Sequence, residues 1–299
     1  MKKKALVLGG SGFLGRFLID ELFTKDYEIT ALAHSKAIEE SDKNINVFRA
    51  SLEDFNWNAL KKNLPDVIFH AARMSGKNKR ARLKAARKNA EANERLLNWL
   101  KSLKNPPLLV YVSGTLVYGS HGRKPVDENT SPAPISFQRE YFVAEKPILR
   151  TMLKNELPIM IMRPAWILGP GSWFRAFYLN YMREKNRVPV YGNGKNLMSF
   201  IHAADVAGKM IHASEKGQAG TIYNLFNGAA ISQQKFAEML SDYSGMEIKK
   251  VPEWWLKLRY DKALAEAFTF SLNVGTIHQT LWNDYQPHHP DMGKWLQEQ

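Results

Sequence analysis

The 299-residue sequence predicts an α/β fold organised as a doubly wound parallel sheet. Three observations carry this expectation. Short apolar runs alternate with helix-patterned segments along most of the chain. The first run, Ala5-Leu6-Val7-Leu8, passes into a helical pattern (Phe13, Leu14, Phe17, Leu18) through glycines spaced by threes, Gly9, Gly12 and Gly15. No internal repeat or low-complexity linker interrupts the alternation.

Each glycine of that turn has a physical reason. The first permits the turn, the second lets a phosphate approach the backbone, and the third lets helix and strand pack closely. The N–H groups from Ser11 through Gly12 and Phe13 to Leu14 are expected to face the ligand, aided by the helix dipole. The spacing departs by one position from the G-x-G-x-x-G fingerprint, and a plain structural turn is the competing reading; the strand before it and the helix after it weigh against that. Lys2-Lys3-Lys4 ahead of an apolar run imitates a signal peptide, but the run is short and ends in glycine.

The remaining elements follow in order. The helix continues from Phe17 to Phe23, and Glu28 to Ala33 reads as the second strand. An acidic residue after that strand would favour the ribose hydroxyls of NAD, whereas small polar or basic residues accommodate a 2'-phosphate. The chain has His34-Ser35-Lys36 there, which favours NADP(H) over NAD(H); a polar loop is the competing reading of each residue. A third strand, Asn46 to Arg49, leads to Ser51 and Leu52. Asp66 to Ala72 is the fourth, ending in Ala71 and Ala72 where backbone must pass close to a cofactor. Lys77 to Lys88 carries seven Lys or Arg and no acid, and helix continues from Asn89 to Lys104. Leu108 to Val112 is the fifth strand, followed by Ser113-Gly114-Thr115-Leu116-Val117-Tyr118-Gly119. A Pro-rich loop, Pro125 to Pro134, precedes a helix from Phe137 to Leu153, and Ile159 to Met162 forms a strand closed by Arg163-Pro164.

Composition bounds the function classes. Hydrophobic residues make up 44%, enough for a full core. The absence of cysteine removes disulfides, thiolate nucleophiles and thiolate metal sites together, and suits a reducing cytoplasm. No apolar stretch is long enough to span a bilayer. The formal charge of +13 points to an anionic partner or substrate.

These residues resemble the extended short-chain dehydrogenase/reductase superfamily, the nucleotide-sugar epimerase/dehydratase group. Five segments match in that family's order: Gly9 to Gly15, Asp66 to Ala72, Val110 to Gly119, Arg163 to Gly171, and Tyr191-Gly192-Asn193-Gly194 through Phe200 to Ala207, with Tyr223 to Phe226 fitting as a late strand. The resemblance implies a Rossmann dinucleotide-binding domain over residues 1–164, with 200–228 returning to it, and a smaller α/β substrate domain from 165–199 and 229–299. It does not imply a particular reaction; the expectation is a cytoplasmic NAD(P)-binding reductase or epimerase-like enzyme with atypical catalytic residues, acting on a small or nucleotide-linked substrate. The cofactor contacts it names are Gly9, Ser11, Gly12, Phe13, Leu14, Gly15, His34, Ser35, Lys36, Ser51, Leu52, Ala71, Ala72, Ser113 and Pro164.

The family's proton-transfer set is altered. Its Ser or Thr after the fifth strand falls at Gly114, flanked by Ser113 and Thr115. Its Tyr-x-x-x-Lys pair, which moves the proton and holds the nicotinamide ribose, falls at Phe137 and Tyr141 if Glu145 and Pro158 keep the family's places. In the other register Tyr141 is the family Tyr, and Lys146 stands one residue late, about 100° further round the helix. A phenyl ring moves no proton, so the candidate catalytic residues are Tyr141, acting with Thr115 or Ser113, against the alternative that Tyr141 is a plain helix tyrosine. A catalytically inactive Rossmann binding protein, a sensor, scaffold or RNA binder, is the alternative function.

Lys77 to Lys88 has three readings, in this order: a solvated helix face, a clamp for a phosphorylated substrate, and a nucleic-acid surface, which lacks interleaved aromatics. Trp173, Phe174, Phe177, Tyr178 and Tyr181 form a stripe at helical spacing, read as core or as a homodimer contact. Tyr118, Trp166, Trp173 and Lys195 are candidate substrate contacts. Trp254-Trp255 and the tail to Gln299 read as packing. His202 and His288-His289 give no catalytic set, and no metal-ligand spacing is present.

Overall fold

The computed structural model describes residues 2–34, 37–38, 45–76, 78–291, 293 and 295. Ser35, Lys36 and Lys77 lie outside them. The first half alternates as the sequence predicts: β1 (Lys4–Leu8), α1 (Phe13–Thr24), β2 (Glu28–Ala33), β3 (Ile45–Arg49), β4 (Val67–His70), α2 (Lys79–Lys101), β5 (Leu108–Val112), the short β6 (Pro125–Val126), α3 (Ser136–Leu153) and β7 (Ile159–Pro164). Beyond it come β8 (Trp166–Leu168), α4 (Asn180–Lys185), β9 (Val188–Tyr191), β10 (Leu197–His202), α5 (Ala203–Lys216), β11 (Thr221–Leu225), β12 (Asn227–Ser232), α6 (Gln233–Ser244), β13 (Ile248–Val251), α7 (Glu253–Arg259), α8 (Lys262–Thr269), β14 (Asn273–Val274) and α9 (Gln279–Trp282).

The central sheet has seven strands in the order β3-β2-β1-β4-β5-β7-β11, and every neighbouring pair runs parallel. Its strands are apolar on both faces because both faces are covered. Ala5 and Val7 of β1, Val110 of β5, and Met160 and Met162 of β7 pack with α1 and α5. Leu6 and Leu8, Leu109 and Tyr111, and Ile159 and Ile161 pack on the opposite face with α2 and α3. This is a doubly wound Rossmann sheet, and its chain reversal between β1 and β4 opens a crevice at the C-terminal strand ends, where such sheets bind ligands.

A second apolar cluster lies beyond β7. Phe174 and Tyr178 are 5% and 1% exposed and pack with Phe200, Phe236 and Phe268, so these two rings of the aromatic stripe are core. Trp173, Phe177 and Tyr181 pack against this cluster as partly buried neighbours. The helix carrying these rings contains a π turn, Arg175–Leu179, which leads into α4. Trp254 on α7 is 66% exposed, which corrects its reading as packing; Trp255 and Trp295 do pack there.

The basic run divides between interior and solvent. Arg82 is 3% exposed and donates to Asp261 at 2.9 Å, while the other Asp261 oxygen caps α8 through Leu264 N–H at 3.0 Å. One carboxylate thus ends a helix and ties it to α2. Lys88 pairs with Glu53 at 3.0 Å, and Lys79, Arg80, Lys84 and Arg87 do not share that burial. Among the described residues no helix is long and apolar enough to cross a membrane, and no group of three or more His, Asp or Glu could hold a metal ion.

Candidate active site

The glycine turn closes on its own backbone. Gly9 and Gly10 N–H donate to the Leu32 carbonyl at 3.1 and 3.0 Å, tying β1 to β2, and Gly12 N–H donates to the Gly9 carbonyl at 2.8 Å. Gly9 adopts a φ of 85°, and a Cβ there would lie 2.8 Å from Ala72 N and Cα. A Cβ on Gly15 would collide with the Gly9 carbonyl oxygen. Only glycine satisfies both positions.

With Gly12 as the cap, α1 has no side-chain cap and no acid in its first turn. The Phe13 and Leu14 N–H groups precede the first internal helix bond, so they stay open to an anion. The turn therefore fits a dinucleotide pyrophosphate. It also narrows the sequence expectation, because Gly12 N–H is committed inside the turn and Ser11 is 8% exposed. Ala71 and Ala72 stand beside the turn, Ala71 N–H donating to Leu8 O at 3.0 Å. His34 is exposed after β2. Ser51 Oγ donates to Asp54 at 2.6 Å, and Leu52 is buried in the core of the α2 face.

At the ends of β5 and β7 a polar chain runs through the interior. Ser113 Oγ donates to Glu145, whose other oxygen accepts from Arg163 at 2.7 Å. Glu145 and Arg163 are each 1% exposed. Burial works against the Arg163 cation, but the Glu145 charge overcomes it and holds that guanidinium above its ordinary pKa. The Arg163 guanidinium lies 5.0 Å from the centre of the Tyr118 ring, and Tyr118 OH donates to Asn224 Oδ1 at 2.7 Å.

This chain revises two candidates. Tyr118 is 0% exposed and presents no face to a substrate. Thr115 is 2% exposed, with its hydroxyl donating to Pro164 O at 3.2 Å, so it is turned away from the crevice. Pro164 serves there as a structural acceptor.

Tyr141 is placed differently. It lines a narrow cleft with Ala72, Arg73, Asn93, Ser113 and Gln138. Its ring packs edge-on to Phe137 with centroids 5.1 Å apart, and the Arg73 guanidinium covers it at 4.2 Å. Asn93 braces the cleft floor, donating to Ala144 O at 2.8 Å and meeting His70 Nε2 at 2.8 Å. Burial, only partly opposed by the Asn93 hydrogen bond, pushes His70 down to about 4, so it is a neutral structural ring.

Sequence reasoning missed Arg73, Asn93 and Gln138, and did not join Glu145 to Arg163. A usable signal existed for Arg163, a charge closing an otherwise apolar strand. None existed for Asn93, which is one polar position on a long helix.

Beside the second apolar cluster, Trp166 and Trp173 come together with ring centroids 4.5 Å apart, and Phe177 on the π turn lies 6.4 and 5.7 Å from them. Both indole N–H groups are buried without an acceptor among the described residues. Lys195 stands apart on the exposed turn between β9 and β10, where its N–H bonds Asn193 Oδ1 at 2.9 Å. His202 is structural: its Nδ1 accepts Ala204 N–H at 3.3 Å at the start of α5, and its ring packs on His289 at 3.9 Å.

Comparison with known proteins agrees with this fold. The family described as NAD dependent epimerase/dehydratase matches residues 5–225. The chain is 25% identical to a UDP-N-acetyl-alpha-D-glucosaminuronate decarboxylase of Bacillus cytotoxicus over 84% of each chain. It is 24% identical to a decarboxylating sterol-4-alpha-carboxylate 3-dehydrogenase of Dictyostelium discoideum, covering 78% of this chain and 74% of that one. In structure it resembles a human epimerase family protein solved with NADPH, with a TM-score of 0.80 at 20% identity, over 99% of this chain and 98% of that one. That last likeness concerns the fold.

Proposed function

The chain belongs to the NAD-dependent epimerase/dehydratase family, and we propose that it is a nicotinamide-dinucleotide enzyme of reductase or epimerase-like type acting on a small or nucleotide-linked anionic substrate. Bound there, the dinucleotide supplies hydride exchange at a substrate carbon. The observation that carries the reading is the glycine turn, whose helix end is left without a cap or an acid.

Phe13 and Leu14 N–H hold the pyrophosphate, and the Gly9–Ala72 contact keeps the turn pressed against β4. His34, with Ser35 and Lys36, supports NADP(H) over NAD(H). Tyr141 holds the exchangeable proton at its hydroxyl, with Arg73 and Phe137 fixing its ring. Ser113 gives its own proton to Glu145, which leaves its lone pairs to accept a substrate hydroxyl. Trp166, Trp173 and Phe177 exclude water and face the apolar body of the substrate.

The substrate class rests on charge. Both curated relatives above carry a carboxylate in the named substrate, and here Arg73 supplies a cation at the mouth of the Tyr141 cleft. The test is a fluorescence titration with NADPH and NADH. Saturable enhancement that is tighter for NADPH and absent in Gly12→Trp supports the reading. No change with either nucleotide, or binding that survives Gly12→Trp, rejects it. Tyr141→Phe should abolish turnover and leave nucleotide affinity nearly unchanged; unchanged turnover removes Tyr141 from its role.

A further inference from the structure

Lys209, on the sheet-facing side of α5, is 7% exposed. Its ammonium has three donors, and the hydrogen bond it makes goes to the Phe226 carbonyl at 2.7 Å. The acid one turn earlier, Asp205, is already satisfied. It accepts from Asn227 Nδ2 at 2.7 Å, from His288 and His289 N–H at 2.6 and 3.1 Å, and from Tyr285 OH at 3.3 Å. Glu128, beside Asn224, is likewise taken by Asn224 N–H, Thr276 OH and Ile277 N–H at 2.8, 2.7 and 2.9 Å. Among the described residues the Asp205 charge acts on this nearly buried cation from a distance, but no carboxylate forms an ion pair with it, an arrangement that folding alone disfavours.

The space beside it is open. A cleft of about 300 Å³ at the β11 edge of the sheet is lined by Lys209, Asn224, Phe226, Gln279, Trp282 and Tyr285, among others. The Trp282, Tyr285 and Phe226 rings lie 5.2, 5.7 and 6.0 Å from the ammonium. They give a flat apolar surface next to the charge, while Asn224 and Gln279 add polar edges. We propose that this cleft binds a small organic anion, a carboxylate on a flat apolar body, with Lys209 as its counter-ion. The site is separate from the glycine turn and from the Tyr141 cleft. Burial, opposed by the Asp205 charge, lowers Lys209 to about 8, which leaves it mostly charged at neutral pH and sensitive to an arriving anion.

The test is thermal unfolding of the full chain with benzoate, its neutral analogue benzamide, or inorganic phosphate, at matched ionic strength. Benzoate is expected to raise the melting temperature saturably, by about 5 °C at a hundredfold excess over its dissociation constant. Benzamide is expected to give no shift, and Lys209→Met should abolish the benzoate effect. Gln279→Trp, which fills the exposed mouth of the cleft and leaves Lys209 in place, should also abolish it, and it decides the matter if Lys209→Met does not fold. The proposal is overturned by no benzoate shift, by an equal benzamide shift, or by a shift that persists in Gln279→Trp. Phosphate acting as strongly as benzoate overturns the organic-body assignment. NADPH fluorescence enhancement should be the same in Gln279→Trp and wild type, so failure here is distinguishable from failure of the dinucleotide reading.

Discussion

Glu145 and Arg163 meet at 2.7 Å between α3 and β7, each with 1% of its side chain exposed. Removing one partner leaves the other charge buried and unpaired. Glu145→Gln is expected to destabilise the protein by about 3–5 kcal/mol in urea unfolding. The double variant Glu145→Gln with Arg163→Met should recover a large part of that loss, since two neutral side chains carry no stranded charge. A double variant no more stable than the single one contradicts this account.

Gly15 touches the Gly9 carbonyl so closely that a methyl group forces the turn apart. Gly15→Ala should therefore lower both stability and NADPH affinity, the latter at least tenfold, in unfolding and fluorescence titrations. Normal affinity in the Gly15→Ala variant would show that the turn does not set the dinucleotide position.

Gly114 stands where the family's hydroxyl is expected, yet its backbone does not require glycine. Its φ of −178° is extended, and a Cβ there would find its nearest atoms, Gln138 Nε2 and Pro164 O, at 3.9 Å. Gly114→Ser should fold with a melting temperature close to wild type. Combined with Phe137→Tyr, it should raise turnover on a substrate that the wild type turns over slowly. Strong destabilisation by Gly114→Ser would show that the space is filled.

Two histidines are held neutral by the fold. Burial pushes His70 and His202 down to about 4, with His289 adding to the effect at His202 and Asp205 opposing it. An unfolded histidine titrates near 6.5, so between about 4 and 6.5 the unfolded chain binds more protons and stability rises with pH. The contribution is complete above 6.5 and is lost toward 4, on the order of 3 kcal/mol for His70 alone. Asp261 acts in the same direction: burial raises its pKa, but the Leu264 N–H and Arg82 hydrogen bonds lower it further, so its stabilising contribution is lost as it protonates. Urea unfolding from pH 4.5 to 7.5 should show the slope, and His70→Asn should flatten it. A flat wild-type profile contradicts the assignment.

The sheet was legible because its cause is local. Glu28 to Ala33 and Leu108 to Val112 are strands with the bounds that their apolar runs suggest, and the glycine spacing marks the turn by sterics alone. The site was less legible because its causes are distant in sequence. Tyr118 looks like any aromatic on a loop, and partners distant in sequence bury it, among them Phe270 and Asn224, the latter 106 residues away. Ser113 reads as a spare hydroxyl until its hydrogen bond to the Glu145 carboxylate is seen. The small β6–β14 pair has two residues per strand, too short for any periodicity to register.

The π turn at Arg175–Leu179 carries a different kind of information. Such a turn holds one residue more than the α-helical turn it replaces. Deleting Ala176, which is exposed, would let the segment close as ordinary helix with its two ends nearly in their present orientation, because the turn loses the one residue it holds in excess. The Trp173 and Phe177 rings would then stand three residues apart in place of four, still on one side of the helix. A chain one residue shorter at this point is thus expected to keep its aromatic cluster nearly as it is, the surplus residue being absorbed within a single turn.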